Sequence, residues 1–446
     1  MLDLDSLNYW SELNKSHLTL DDIKPVISLI SENQAITTAV IGRSFLGKPI
    51  HSLTLGHGGL KVLAWTQMHG DEPTATAAVL DILQMLLSDS SALPLNAFCS
   101  MFTVKIIPML NPDGAQAKTR INAQGIDINR DAIALQSPEG RVLREVVETF
   151  KPDIGLNLHD QCAYYSVGHS SQPATIAFLA PAFDTQKSIN TPRKRAMQLI
   201  AGMRQTLEPF IQGCIARYND DYSARCFGDN IADFGVSTIL IESGAHKDDP
   251  NRQIARKMNA LCILQCFELL RSNTYQRFSE VAYFDIPENT KNGLSDLLIR
   301  GVSLNSPNSV QKFQADVALK RHNNADYEGY IDAIGDLSQV YGFTEIDADE
   351  LTLNAGKPFI LEYPITLDNE HYLALLQQGF THFLGDSSLL NNLSLLPCLL
   401  LDSNQQHCLM PNNRAFMLLL KQQLPFLAIL DNQLIELQSG AQYAES

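Results

Sequence analysis

Basic residues are scarce in this chain of 446 residues: 33 Lys plus Arg stand against 49 Asp plus Glu, a formal charge of −16. That balance excludes a general affinity for nucleic acid or for an anionic membrane surface, since both need a basic face. No apolar run approaches the about 20 residues that cross a bilayer, so no membrane partner is expected. Paired cysteines are missing too. The eight cysteines, at 99, 162, 214, 226, 262, 266, 398 and 408, form no Cys-x-x-Cys pair, a pattern of reduced thiols rather than a disulfide framework. The opening MLDLDSLNYWSELNKSHLTL lacks the basic, apolar, small-residue order of a secretory leader, and a cytoplasmic location is the expectation. Internal repeats and low-complexity tracts are also absent.

What remains is ordinary globular material, 45% hydrophobic and 18% charged, in a chain long enough for two domains. Residues 1–33 read as short helices, with Thr19 before Leu20-Asp21-Asp22-Ile23 as a capped start. A hairpin follows over 37–56, turning at Leu46-Gly47-Lys48. Apolar strands at 61–65, 101–108, 153–158, 175–179 and 237–241 alternate with helical segments at 73–87, 139–150, 193–211 and 251–270. This order specifies an α/β domain: a mixed, mostly parallel sheet sandwiched by helices. After about residue 278, short alternating strands dominate, with helical periodicity returning at 371–379 and 412–421. The expected division is a domain over 1–275, with an amino-terminal helix and hairpin extension, and a β-rich module over 276–446. The boundary lies somewhere in 272–293.

The polar residues that could do chemistry follow strand ends, where open α/β sheets place their sites. After the first buried strand comes Gln67-Met68-His69-Gly70-Asp71-Glu72-Pro73, and Pro73 can open a helix because its missing N–H is no loss there. His69 and Glu72, three apart, can converge on one cation and leave a coordination position for water. His159 ends IGLNLH, and Glu242 ends the apolar STILIE, where an uncompensated carboxylate would be costly. Arg120, Asn129 and Arg130 share the loop TRINAQGIDINRD. Two imidazoles, two carboxylates and two guanidinium groups are the inventory for metal-assisted hydrolysis of an amide that bears a carboxylate.

The ordered set IGRSFLGKPIHSLTLG, MHGDEP, NPDG, RINAQGIDINRD, LNLHDQ and ILIESG resembles the zinc metallocarboxypeptidases of the carboxypeptidase A and B type, over about residues 40–270. The resemblance implies one zinc ion per chain, with His69, Glu72 and His159 as ligands. It implies that Glu242 activates the zinc-bound water and that Arg120 polarises the scissile carbonyl. Asn129 and Arg130 would bind the terminal carboxylate of a peptide or acyl amino acid substrate. The family's closing tyrosine falls on Tyr218 or Tyr222, with the preference going to Tyr222. Asp160 could orient a ligand from behind, and Asp229 could receive a basic side chain. The Asn111–Pro112 peptide is a candidate cis bond. An N-acyl amino acid deacylase of the succinylglutamate desuccinylase and aspartoacylase type shares these ligands, and a binding protein that has lost turnover is the non-enzymatic alternative. The carboxy-terminal module is read as non-catalytic, serving packing, homo-oligomerisation or restriction of access to the cleft.

Overall fold

The computed structural model describes residues 9–88, 94–305, 311–322 and 328–437. The chain divides into two compact units, one of Met1–Gly168 with Gln172–Lys291 and one of His169–Ser171 with Asn292–Ser446. Unit 1 extends past residue 275 because Tyr283 and Ile286, beyond its last long helix, are buried in its main core.

Unit 1 starts with α1 (Leu20–Ser31), whose Thr19 and Asp22 form a reciprocal capping box. The hairpin of β1 (Ile36–Arg43) and β2 (Pro49–Gly56) follows, then β3 (Leu60–Trp65) and α2 (Thr74–Leu87). Next come α3 (Leu95–Met101), β4 (Phe102–Ile107), α4 (Pro112–Ala117), α5 (Pro138–Phe150) and β5 (Ile154–Asp160). The unit continues through β6 (Ser166–Val167), β7 (Ile176–Leu179), α6 (Thr191–Leu207), β8 (Ile215–Arg217), α7 (Phe227–Asp233) and β9 (Ser237–Ser243). It ends with α8 (Gln253–Ser272), α9 (Glu280–Phe284) and β10 (Asn289–Thr290), which pairs with β6.

Eight strands form one sheet in the order β1-β2-β4-β3-β5-β9-β7-β8. The β4–β3–β5–β9 run is parallel, and β1, β2 and β7 bring antiparallel pairs at its flanks. Alternation along the strands divides the core. Val62 and Ala64 face α1, α2, α6 and α8, whereas Leu63 and Trp65 pack with Val142, Leu143 and Val146 of α5 and Phe227 and Ile231 of α7. Helices therefore cover both faces, as parallel strands require. The Asn111–Pro112 peptide is trans, contrary to the cis expectation, because Pro112 opens α4, where trans geometry and a missing N–H both suit the first turn.

Unit 2 is β-rich. Its strands are β11 (Leu294–Asn305), β12 (Lys312–Arg321), β13 (Gly329–Gly335), β14 (Tyr341–Asp347), β15 (Thr352–Asn354), β16 (Lys357–Ile360) and β17 (Ile365–Leu367), then α10 (Asn369–Gln377). After α10 come β18 (Phe380–Leu384), β19 (Leu390–Asn392), β20 (Leu400–Leu401), β21 (Phe416–Lys421), β22 (Leu424–Leu430) and β23 (Gln433–Glu436). The main sheet runs β13-β12-β11-β15-β21-β22-β23, with β14 parallel to β11. The helix expected over 412–421 is instead β21. Met417 and Leu419 enter one core while Phe416 and Leu418 enter another, so both faces of the strand are apolar and periodicity cannot separate strand from helix.

A buried ion pair pins the start of unit 1. Arg256 of α8 donates Nε and Nη2 to the two oxygens of Asp81 on α2, at 2.7 and 2.8 Å, and Nη2 also reaches the Trp10 carbonyl at 2.8 Å. Asp81→Ala leaves that guanidinium unpaired and should destabilise the protein by about 3–5 kcal/mol. Urea unfolding measures it; a loss below about 1 kcal/mol would show that the pair is not a structural anchor.

Candidate metal centre

The site is built where β3, β5 and β9 end side by side. Beyond β3 the backbone turns at Gln67, held at φ 44°. Its amide donates to the carbonyls of Leu18 and Gly70 at 3.0 and 2.9 Å and accepts from the Thr76 hydroxyl at 2.8 Å. Gly70 lies against Gly114 so closely that a Cβ there would stand 1.9 Å from the Gly114 carbonyl carbon. The glycines of the two sequence blocks thus form one close backbone crossing, which no larger residue permits. Asn111 locks it, donating to the Met68 carbonyl at 3.3 Å and accepting from Gly114 N–H at 2.9 Å. Asp113 accepts the N–H of Leu46, drawing the hairpin turn into the same assembly.

On this turn His69 and Glu72 meet His159, the penultimate residue of β5. His69 Nδ1 lies 2.7 Å from Glu72 Oε1, His159 Nδ1 lies 2.7 Å from Glu72 Oε2, and the two Nδ1 atoms are 3.1 Å apart. All three side chains are buried, and their ligand atoms lie within 4.8 Å of one another. Neighbouring ligands in a tetrahedral zinc shell with bonds near 2.05 Å stand about 3.3 Å apart. Convergent lone pairs on two imidazoles and a carboxylate, with Nε2 of His159 buried and without a protein partner, are a donor set that fits zinc.

The surroundings are strongly charged. His69 is drawn up to about 9: burial opposes its charging, but the Glu72 carboxylate and the hydrogen bond it donates to Asp127 outweigh that. Glu72 is held well below the usual carboxylate range; burial opposes this too, and the two imidazoles prevail. Asp127, which the sequence reading passed over, accepts from His69 Nε2 at 3.2 Å and from Arg120 Nε at 3.0 Å. Its other task gives the only sequence signal: it caps the turn Ile128–Arg130 through the Asn129 N–H. Arg120 also points Nη1 at His69 Nδ1 and Glu72 Oε1, at 3.1 and 3.4 Å, so its guanidinium faces the lone pairs a metal would use.

Glu242 sits in register with His159 on the adjacent strand. Its Oε2 is buried with no protein partner. Burial first, and the Glu72 charge second, push its carboxyl up to about 8. Asn129 uses its Oδ1 to accept the Phe227 N–H at 2.9 Å. Arg130 is exposed; its guanidinium Nη1 donates to the Asn129 carbonyl and to Cys226 Sγ, which leaves other guanidinium hydrogens directed to solvent. The two candidate tyrosines have different surroundings. Tyr222 lies near Asp233, Asp229 and Asp184, away from the centre, whereas Tyr218 feels Glu242 and Arg120 and stands against Tyr165 with ring centroids 6.1 Å apart. Both tyrosines sit in one short loop, and only the turn after β8 decides which faces inward. Asp229 is buried and accepts the Ser223 N–H at 2.7 Å.

This is a mononuclear metal-site geometry with an adjoining half-buried carboxylate and a guanidinium, on a mostly parallel α/β sheet. Residues 27–224 match the family model described as zinc carboxypeptidase. Carboxypeptidase 2 of Trichophyton tonsurans is 28% identical over 133 residues, covering 29% of this chain and 24% of that protein. Carboxypeptidase SOL1 of Arabidopsis thaliana is 26% identical over 129 residues, covering 27% and 26%. The matched stretch spans about a quarter of these relatives' length. A metallo-carboxypeptidase structure from Burkholderia cenocepacia superposes with a TM-score of 0.48 at 17% identity, covering 59% of this chain and 71% of that one.

An acid whose proton is held more tightly in the folded state loses stability as pH rises from its unfolded value, near 4.5, to its folded value, about 8. In zinc-free protein Glu242→Gln should therefore be stabilising at pH 8 and close to neutral at pH 4.5. Denaturant unfolding at both pH values checks this, and equal effects at the two would contradict it.

Proposed function

We propose that this protein is a zinc-dependent carboxypeptidase that hydrolyses the terminal amide bond of a peptide or peptide-like substrate with a free carboxylate. The observation that carries the reading is Glu242, half-buried, whose Oε2 is buried without a protein partner, in strand register with one of three convergent zinc-type ligands. His69, Glu72 and His159 would hold the ion. The chemistry a bound zinc supplies is a lowered pKa for water and polarisation of a carbonyl oxygen.

The remaining steps belong to the chain's own groups. Glu242 takes the proton of the attacking water and returns it to the leaving amine, a role suited to a carboxyl with a raised proton affinity. Arg120, anchored by Asp127, directs a guanidinium toward the oxygen on which negative charge develops. Arg130, exposed to solvent, offers a two-point contact to the terminal carboxylate, and Asn129 is tied to α7 beside it. Tyr218 replaces Tyr222 as the tyrosine that closes over substrate. No role for unit 2 enters this reading.

Glu242→Gln should reduce hydrolysis by at least about 10²-fold while zinc stays bound at one equivalent. Near-parental turnover would remove Glu242 as the base. Arg130→Ala should raise KM for substrates with a free terminal carboxylate about 10–100-fold, the value of a lost charge-assisted contact, and leave amidated ends unaffected. Release of amino acids from a peptide panel, set beside N-acyl amino acids, separates this activity from deacylation.

A further inference from the structure

The helix that follows the metal-ligand turn lacks a cap of its own. Pro73 precedes α2 and has no side-chain acceptor, so the first N–H groups of α2 need a partner from elsewhere. One comes from the neighbouring strand. Asp160, the last residue of β5, accepts from Thr74 N–H at 3.2 Å and from the Thr74 hydroxyl at 2.7 Å, both through Oδ2. Its backbone N–H donates to Glu72 Oε2 at 3.2 Å.

The same residue therefore holds Glu72 directly and also fixes the residue two positions further on. Behind it, Arg252 Nη1 lies 3.8 Å from Asp160 Oδ2 and donates to the Ser243 carbonyl at 2.7 Å, which connects the arrangement to the end of β9 beside Glu242. The Asp160 side chain is only 7% exposed, and its Oδ1 has no protein partner. A third carboxylate this close to Glu72 and Glu242 is electrostatically adverse. A bare structural preference would favour a neutral acceptor there.

We propose that Asp160, acting through Thr74, is a positioning residue for the metal centre: it caps α2 from the adjacent strand and so fixes the turn that presents His69 and Glu72. The inference rests on the reading of His69, Glu72 and His159 as zinc ligands. It assigns Asp160 no contact with substrate. Partners of this kind usually alter metal affinity 10–100-fold when removed.

The test measures zinc binding to the full chain by competition with a chromophoric chelator, for the parent, Asp160→Ala, Asp160→Asn and Thr74→Val. Asp160→Ala should weaken zinc about 10–100-fold. Thr74→Val, which keeps the carboxylate and removes one donor, should weaken it about 2–10-fold. Asp160→Asn retains an acceptor and should fall between the parent and Asp160→Ala. Peptide hydrolysis should lose kcat with KM unmoved. Parental zinc affinity in both Asp160→Ala and Thr74→Val would overturn the proposal. If Asp160→Ala does not fold, Thr74→Val decides alone. A parent that binds no stoichiometric zinc would overturn the metal reading itself, and this inference with it.

Discussion

The constraint on which the site depends is a surplus of negative charge gathered in a partly buried pocket. Glu72, Asp127, Asp160 and Glu242 crowd around His69 and His159, and the cations opposing them are Arg120 and, for Asp160, Arg252. Buried carboxylates without compensation either take up protons or recruit a cation. Here both responses are visible. Glu242 holds its proton to about 8, and Arg120 turns its guanidinium onto the lone pairs of His69 and Glu72. A dication between these ligands would relieve the same surplus more completely than one guanidinium. It would also release Arg120 toward a substrate oxygen.

The fold exists in the form needed to bring this about. Residues 69, 159 and 242 are far apart in the chain, yet the order β3-β5-β9 makes their strands neighbours with a common direction. Apolar burial sets that order. Val62, Leu156 and Ile239 share one core, and Leu63 and Trp65 fill the other, so a shift of one residue would exchange the two sets between cores of different shape. The turn after β3 then depends on side-chain amides and on two glycines in contact. Hydrophobic packing supplies the platform, and a small set of hydrogen bonds aims the ligands.

Much of this was legible in the sequence. The hairpin, the β3–α2 unit, α5 and α8 carry clear periodicity, and His69, Glu72, His159 and Glu242 each follow or end an apolar strand. Short elements were not legible. α3, α7 and β8 are seven, seven and three residues long, too short for a period to register. The helix expected at 412–421 failed because β21 is buried on both faces. Tyr218 and Tyr222 share a loop whose path no local pattern encodes. Asp127 and the Asp160–Thr74 contact are long-range or turn-local hydrogen bonds between common residue types, and spacing says nothing about them.

The metal centre is defined by the identity of its donors. X-ray absorption spectroscopy of the zinc-loaded chain tests this most directly. It should return only nitrogen and oxygen neighbours at about 2.0–2.1 Å, with the outer-shell pattern of two imidazoles. A sulfur shell at about 2.3 Å would instead place the ion on cysteine and contradict the assignment of His69, Glu72 and His159.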